Sequence, residues 1–415
     1  MKINVIAIGD ELLAGQVVDT NSSFIARSLG KYGWELNKVR VISDKENEII
    51  SSVTSALKET DVVVTTGGLG PTKDDITKTA LMRIFGGKLV ENKEVELNVR
   101  EIFGRRGISM NKLTATQWLV PDSCKVIMNR YGTAPVLWFE QAGKVLVSLP
   151  GVPFEMKGCW DEEVMPKLLS YFGGNEKVIR RTLYVNGISE SKLAEYLNEI
   201  EQNFPKNIHL AYLPGSGFIR LRLDGNIIDS ENDISDYDSY FEALKKAVSK
   251  WLLWDGDILP SKNIFDLLKN ENLTLSTAES CTGGRIASEI TAFPGSSSIF
   301  KGGVVAYSNF VKLSVLGVRK DILDAHGAVS IPVVEEMATG VADITNSDCS
   351  IATSGIAGPD GGTPEKPVGT VCIAVKYKDR IIKDKFIFSG TRTRIMECAV
   401  NTGFIMLFKL INNTK

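Results

Sequence analysis

The sequence predicts an α/β protein with three domains: a parallel-sheet domain over residues 1–170, a small α+β domain over 171–254 and an α/β domain over 255–415. Three observations carry this. Near-continuous apolar runs such as Lys2–Ile8 and Asp61–Thr65 alternate with stretches of helical spacing, which is the pattern of parallel strands buried on both faces. Several of these strand ends open into glycine-rich loops. At 415 residues the chain is also too long for a single core.

Composition narrows the functional classes. Apolar content of 43% and charged content of 24% are those of an ordinary globular protein. A formal net charge of -2 offers no general attraction to nucleic acid, so direct nucleic-acid binding is disfavoured. The six cysteines (Cys124, Cys159, Cys281, Cys349, Cys372, Cys398) are scattered without CxxC spacing, as expected of reduced thiols. With only His209 and His326 besides, a structural zinc site is not expected. Met1–Gly9 meets Asp10 and Glu11 too soon for a signal peptide, and no apolar run approaches membrane-spanning length. The expected setting is cytoplasmic, with no membrane partner.

In the first domain, the strand Lys2–Ile8 is followed by a helix carrying Phe24, Ile25 and Leu29, closed by Gly30 and Gly33. A strand Glu35–Ile42, a helix Glu46–Leu57 and a strand Asp61–Thr65 come next, then a loop, Thr66–Asp75, and a helix Ile76–Phe85. Gly67, Gly68 and Gly70 would let the backbone approach a phosphate, and the helix start offers N–H donors. The loop matches neither the Walker pattern nor GxGxxG, and a plain glycine turn is the alternative. Asp74 and Asp75 suit a divalent cation or a water-activating base, or simply cap the helix. Asn129–Pro135 before the strand Val136–Phe139, and Pro150–Met156 after the strand Val145–Leu149, are either ligand loops of the same cleft or connector turns.

A boundary falls near Leu168–Glu176. The middle domain reads as a strand Arg181–Val185, a helix Ser189–Ile200, a strand Ile219–Leu223 and a helix Tyr240–Leu253. Pro214–Gly217 reads as a hairpin turn in preference to a binding loop, and Asp229–Asp238 as a solvated loop. In the third domain, a helix Ile264–Glu271 leads to a strand Leu273–Thr277 and then to Ser280, Cys281, Thr282 and two glycines before a helix beginning at Arg285. Hydroxyls and a thiol beside free N–H groups and a positive dipole end make a place for an anion or for acyl chemistry. Phe293–Ser298, Gly302–Tyr307, a helix from Ser308 carrying Lys312, a strand Ser350–Thr353, the loop Ser354–Thr363, a strand Thr370–Tyr377 and a final helix with Arg392 and Arg394 at its start complete the chain. His326, in His-Gly-Ala-Val, reads as a turn or packing residue, so no Ser-His-Asp arrangement is on offer. Lys312, flanked by Val311, Leu313, Val315 and Leu316, is the candidate for a lysine kept neutral by burial; a solvated helix lysine is the alternative.

Six segments together resemble the CinA family: Gly-Asp-Glu-Leu-Leu (9–13), Asp-Thr-Asn-Ser (19–22), Thr-Gly-Gly-Leu-Gly-Pro-Thr-Lys-Asp-Asp (66–75), Leu-Pro-Gly-Val-Pro (149–153), Ala-Glu-Ser-Cys-Thr-Gly-Gly (278–284) and Ser-Gly-Ile-Ala-Gly-Pro-Asp-Gly-Gly (354–362). The resemblance spans essentially the whole chain. It implies a MoaB/MogA-like first domain, a KH-like middle domain and a C-terminal nicotinamide-nucleotide amidase of the PncC type. The implied reactions are deamidation of nicotinamide mononucleotide and metal-dependent hydrolysis of ADP-ribose to AMP and ribose 5-phosphate. A non-catalytic nucleotide- or pterin-binding regulator linked to competence or DNA damage is the alternative.

Carried over by position, the resemblance makes Ser297 the nucleophile, Lys312 its base and Tyr307 a hydrogen-bonding partner. Ser280 and the loop Ser354, Gly355, Ile356, Ala357 and Gly358 would line the substrate, with Arg394 near its phosphate. Cys281, the first candidate nucleophile, becomes a packing residue. In the first domain the resemblance puts phosphates on Gly67, Gly68, Gly70 and Thr72, and metal or base chemistry on Asp74 and Asp75. It implies a divalent metal ion there, optionally with a monovalent cation, no cofactor for the amidase, and a homodimer. One departure stands out: Val136 occupies a position where the family pattern continues with glycine.

Overall fold

The computed structural model describes residues 1–72, 75–107, 109–111, 113–173, 176–228 and 231–412. It forms two compact units, Met1–Ile179 with Gly225–Asp236, and Arg180–Asp224 with Tyr237–Lys415.

In the first unit β1 (Lys2–Ile8) lies between β2 (Glu35–Ile42) and β3 (Val62–Thr66), all parallel. A separate antiparallel ribbon pairs β4 (Leu89–Glu91) with β5 (Leu119–Pro121). The main sheet continues through β6 (Lys125–Ile127), β7 (Val136–Gln141) and β8 (Lys144–Leu149) in the order β2-β1-β3-β8-β7-β6. β8 is parallel to β3, and β7 and β6 close the sheet antiparallel. Successive residues serve opposite cores. Ile3, Val5, Val62 and Val64 pack with Trp138 and Trp160, whereas Ile6, Ile8 and Val63 pack with Ile49 and Phe139. A sheet covered on both faces needs apolar residues at every position, which is why these strands read as unbroken runs. Val136, the departure from the family pattern, opens β7 and is fully buried with the Trp138 core.

In the second unit, β9 (Glu176–Val185), β10 (Ile208–Pro214), β11 (Ile219–Ile228) and β12 (Leu252–Asp255) form a sheet in the order β10-β11-β9-β12. The expected hairpin turn joins β10 to β11, with the Gly215 N–H donating to the Phe218 carbonyl at 2.8 Å. Two expectations change here. The acidic run read as a solvated loop enters a helix, Glu231–Ala247, which buries Tyr237, Phe241 and Leu244 at helical spacing. Leu252 and Leu253, expected to end that helix, belong to β12, where Leu252 pairs with Val185 of β9 and the register shifts before Trp254. The aromatic that follows them explains the change: Trp254 stacks on Tyr184 with centroids 4.9 Å apart and meets Phe408 edge-on at 5.1 Å. Phe408 and Ile405 belong to the final helix, Arg392–Asn412, and Lys409 of the same helix donates to Asn186 Oδ1 at 2.8 Å.

The last sheet runs β14-β13-β15-β16-β17, with β13 (Leu275–Glu279), β14 (Phe300–Val305) and β15 (Cys349–Gly355) parallel. β16 (Thr370–Tyr377) and β17 (Arg380–Ile387) extend it antiparallel. Leu275, Ile351 and Ile373 face the final helix through Phe404 and Leu407. Ala278, Ala352, Cys372 and Ala374 face the helix Ile331–Thr345, where small strand residues leave room for Met337 and Val341. The final helix is the one described helix long and apolar enough to cross a membrane, and it is the core helix of this domain, with Phe404 and Leu407 fully buried.

Candidate functional site

The loops that leave the carboxyl ends of the parallel strands β13, β14 and β15 meet around a cavity of about 310 Å³. Ligands in open α/β sheets bind at such ends. Ser280 follows β13 directly. Ala306 follows β14, and its N–H donates to the Glu279 carbonyl at 2.8 Å, which keeps the two strand ends side by side. Ser308 then caps the helix Asn309–Ser314, its hydroxyl accepting from the Val311 N–H. Lys312 rides on that short helix and is 1% exposed. Its Nζ donates to the Ala306 carbonyl at 2.7 Å and lies 3.2 Å from Ser280 Oγ.

Burial holds the Lys312 pKa below the ordinary lysine value. The opposing pull would be a Cys281 thiolate, but burial pushes that thiol up to about 12, so it is a neutral packing group at physiological pH. None of the described ion pairs includes Lys312. Of the two readings of Lys312, solvated or buried, the structure shows the buried one, and Cys281 is buried as well.

The expected pairing of Lys312 with Ser297 is not what the structure brings together. Ser297 sits exposed on the short 3-10 turn Ser296–Ser298 after the helix Arg285–Thr291, and it does not line the cavity. Ser280, expected only to line the substrate, is the serine beside the lysine. Tyr307, Ser354, Gly355, Ile356, Ala357 and Gly358 line the cavity as expected. The Ser354 hydroxyl is already donated to the Ala328 carbonyl at 2.7 Å, so Ser354 shapes the wall. Gly355 is tightly enclosed, since a Cβ there would lie 2.9 Å from the Thr370 carbonyl oxygen.

Arg394 does not reach the cavity; Arg392 does. Its guanidinium donates to the Gly358 carbonyl at 2.7 Å and to the Tyr307 hydroxyl at 3.0 Å, tying two loops across the mouth. Two residues apart on a helix is about 200° of rotation, so only one of the two arginines can face the cavity. Asn309 and Asp360 complete the polar lining and were not singled out from sequence.

The helix start after Ser280 is also not free for an anion. The buried Glu279 carboxylate already occupies it, accepting from the N–H groups of Gly284 at 3.0 Å, Ile286 at 3.1 Å and Ala287 at 2.9 Å. The backbone N–H groups of Ala357 and Gly358 make no hydrogen bond to other described residues, and both residues line the cavity.

A second cavity, about 760 Å³, belongs to the first unit and is lined by Gly67–Pro71, Thr133, Ala134, Pro150–Val152 and the carboxylates Asp10, Glu11, Asp44, Asp75 and Glu155. Gly67, at φ 108°, is pressed against β1, where a Cβ would fall 2.3 Å from the Ile8 carbonyl oxygen. Gly67, Gly68 and Gly70 line the cavity, but the donors differ from expectation. The Gly67 N–H is donated to the Leu149 carbonyl at 3.1 Å. The Gly70 N–H goes to Asp75 Oδ1 at 2.7 Å, and Thr72, which is not a lining residue, gives its N–H and hydroxyl to Asp75 Oδ2 at 2.9 and 2.5 Å.

Asp75 thus fastens the loop with both oxygens, a different task from the metal or base role expected of it. Asp74 lies outside the described residues. Asp44 has its pKa raised by burial and by the like charges of Glu11, Asp10 and Asp75. Among the described residues no group of three or more His, Cys, Asp or Glu is arranged to hold a metal ion. The carboxylates present therefore do not form an all-protein metal cage. A magnesium-like ion asks for less, one or two carboxylates plus substrate phosphates.

Two family models match separate parts of the chain. The family model described as "CinA C-terminal domain" matches residues 260–411, and the one described as "Probable molybdopterin binding domain" matches residues 4–170. A "CinA-like protein" of Flavobacterium psychrophilum is 40% identical over 99% of each chain. A "Putative competence-damage inducible protein" of Caldicellulosiruptor saccharolyticus is 36% identical over 100% of both. Among solved structures, a competence/damage inducible protein from Agrobacterium tumefaciens is 36% identical, covering 38% of this chain and 94% of its own, with a TM-score of 0.36.

Proposed function

Because the chain belongs to the CinA family, we propose that its C-terminal cavity deamidates nicotinamide mononucleotide to nicotinate mononucleotide and ammonia. One observation carries this: a buried lysine with a lowered pKa stands 3.2 Å from the hydroxyl of Ser280, with no carboxylate paired to it. A neutral Lys312 amine accepts the Ser280 proton as Oγ attacks the carboxamide carbon. The N–H groups of Ala357 and Gly358 supply donors for the oxyanion. The lysine then returns the proton to the departing nitrogen, ammonia leaves, and water hydrolyses the acyl-enzyme by the same base. Arg392 offers its charge to the substrate phosphate, and the Tyr307 ring flanks the nicotinamide. The assignment is tested with two variants. Ser280→Ala should abolish ammonia release while Ser297→Ala keeps it; the reverse pattern would return the nucleophile to Ser297.

The larger cavity supports a second activity, hydrolysis of ADP-ribose to AMP and ribose 5-phosphate with a divalent metal ion. What favours it is the juxtaposition of a glycine-lined wall with several carboxylates in a space large enough for a dinucleotide-sized ligand. Asp44 and its neighbours are the residues that would share the ion with the substrate phosphates, and the ion would neutralise charge on those phosphates. Product analysis with and without chelator tests this. Protein that binds both nucleotides and turns over neither would belong to the non-catalytic, regulatory class instead.

A further inference from the structure

Glu155 is the third residue after Val152 in the helix Pro153–Cys159, a place where carboxylates usually serve the helix dipole. Here it does something else. Among the described residues no N–H of its own helix donates to it. Its one hydrogen bond comes from outside, from Asn129 Nδ2 at 2.8 Å to Oε2. Asn129 is completely buried and fully engaged. Nδ2 also donates to the Ala134 carbonyl at 2.9 Å, and Oδ1 accepts from the N–H groups of Tyr131 and Gly132, both at 2.9 Å. Asn98 secures the same turn from behind by donating to the Asn129 carbonyl at 2.8 Å.

Gly132 completes the arrangement. A Cβ on it would fall 1.8 Å from Glu155 Oε2, so the carboxylate rests in the gap that the missing side chain leaves. Glu155 is therefore aimed by an asparagine and seated by a glycine, with Oε1 uncommitted, in the wall of the larger cavity. Two of the other carboxylates are placed differently: both oxygens of Asp75 are taken by its loop, and Asp44, held by the Asp10 N–H at 3.1 Å, sits among like charges.

We propose that Glu155 is the general base of the N-terminal cavity and that Asn129 and Gly132 are its positioning residues. This rests on the ADP-ribose reading given above. Glu155 Oε1 takes a proton from water as the water oxygen bonds to one phosphorus of the pyrophosphate. The bond from that phosphorus to the bridging oxygen breaks, and the bridging oxygen leaves on the other phosphate. AMP and ribose 5-phosphate result, and Glu155 releases the proton to solvent.

The test uses the full chain with ADP-ribose and Mg²⁺, reading AMP by chromatography, for Glu155→Gln and Gly132→Ala. Gly132 has no positive φ, so alanine is conformationally permitted there and displaces the carboxylate without removing it. Both variants should lose at least about 100-fold in kcat with KM changed less than about threefold and the melting temperature unchanged. Full kcat in both variants, or a loss confined to KM, overturns the proposal while leaving the hydrolase reading intact. A wild-type protein that leaves ADP-ribose whole overturns that reading and the proposal with it.

Discussion

Lys312 carries a pH signature. Only its neutral form can take the Ser280 proton, so kcat/KM for deamidation should rise with pH through an inflection lying below the ordinary lysine value of 10.5. The same shift affects stability with a definite sign. Between the folded and the ordinary lysine pKa the unfolded chain holds the proton and the folded chain does not, so this residue makes the fold more stable as pH rises across that window. Lys312→Met should cost about 10²- to 10⁴-fold in kcat without lowering the urea midpoint, because it also removes a polar amine that is costly to desolvate. A midpoint that falls in step with activity would mark the lysine as structural. The apolar neighbours of Lys312 allowed burial without deciding it against a solvated helix lysine, and its partner was not legible at all. Which serine lies beside it depends on β13 and β14 running side by side so that Ala306 meets Glu279, and no spacing in the sequence encodes that.

At the scale of elements, the helix Arg285–Thr291 begins on a buried carboxylate, not on open donors. Glu279→Gln keeps the shape but sets an amide NH₂ against N–H groups that need an acceptor. A loss of about 2–3 kcal/mol in urea unfolding is expected, and a change under about 0.5 kcal/mol would show that the three hydrogen bonds contribute little. Central strands such as β1, β3 and β8 were readable because burial on two faces demands apolar residues, whereas β6, β14 and β17 were not named, and Phe300–Val305 and Arg380–Ile387 are only partly covered. The middle domain was harder. Its helix Glu231–Ala247 starts within an acidic run, and only the spacing of Tyr237, Phe241 and Leu244 discloses it. Glu279 shows the complementary difficulty: the sequence marks a helix start correctly and is silent about which side chain fills it.

For the molecule as a whole, each cavity is lined by residues of one unit alone. Ser280→Ala should therefore remove deamidation and spare ADP-ribose hydrolysis, and Glu155→Gln should do the opposite. Loss of both activities from either change, with the fold intact by circular dichroism, would mean that the sites depend on each other. The α/β class of the chain was legible from alternating strands and helices and from glycine-rich loops. The attachment of the middle module was not, because it is made by residues far apart in sequence: Tyr184 and Trp254 against Ile405 and Phe408, and Asn186 against Lys409.

That attachment bears on whether the C-terminal part could be severed. A gene fragment beginning near Asp257 would encode a complete β13–β17 sheet with its helices, yet it would bare Ile405 and Phe408 on the flank that Tyr184 and Trp254 now cover. Such a fragment would carry a sticky apolar stripe on its last helix and would need polar replacements there to remain dispersed at high concentration. The middle module thus works for its neighbour as a built-in solubilising cover.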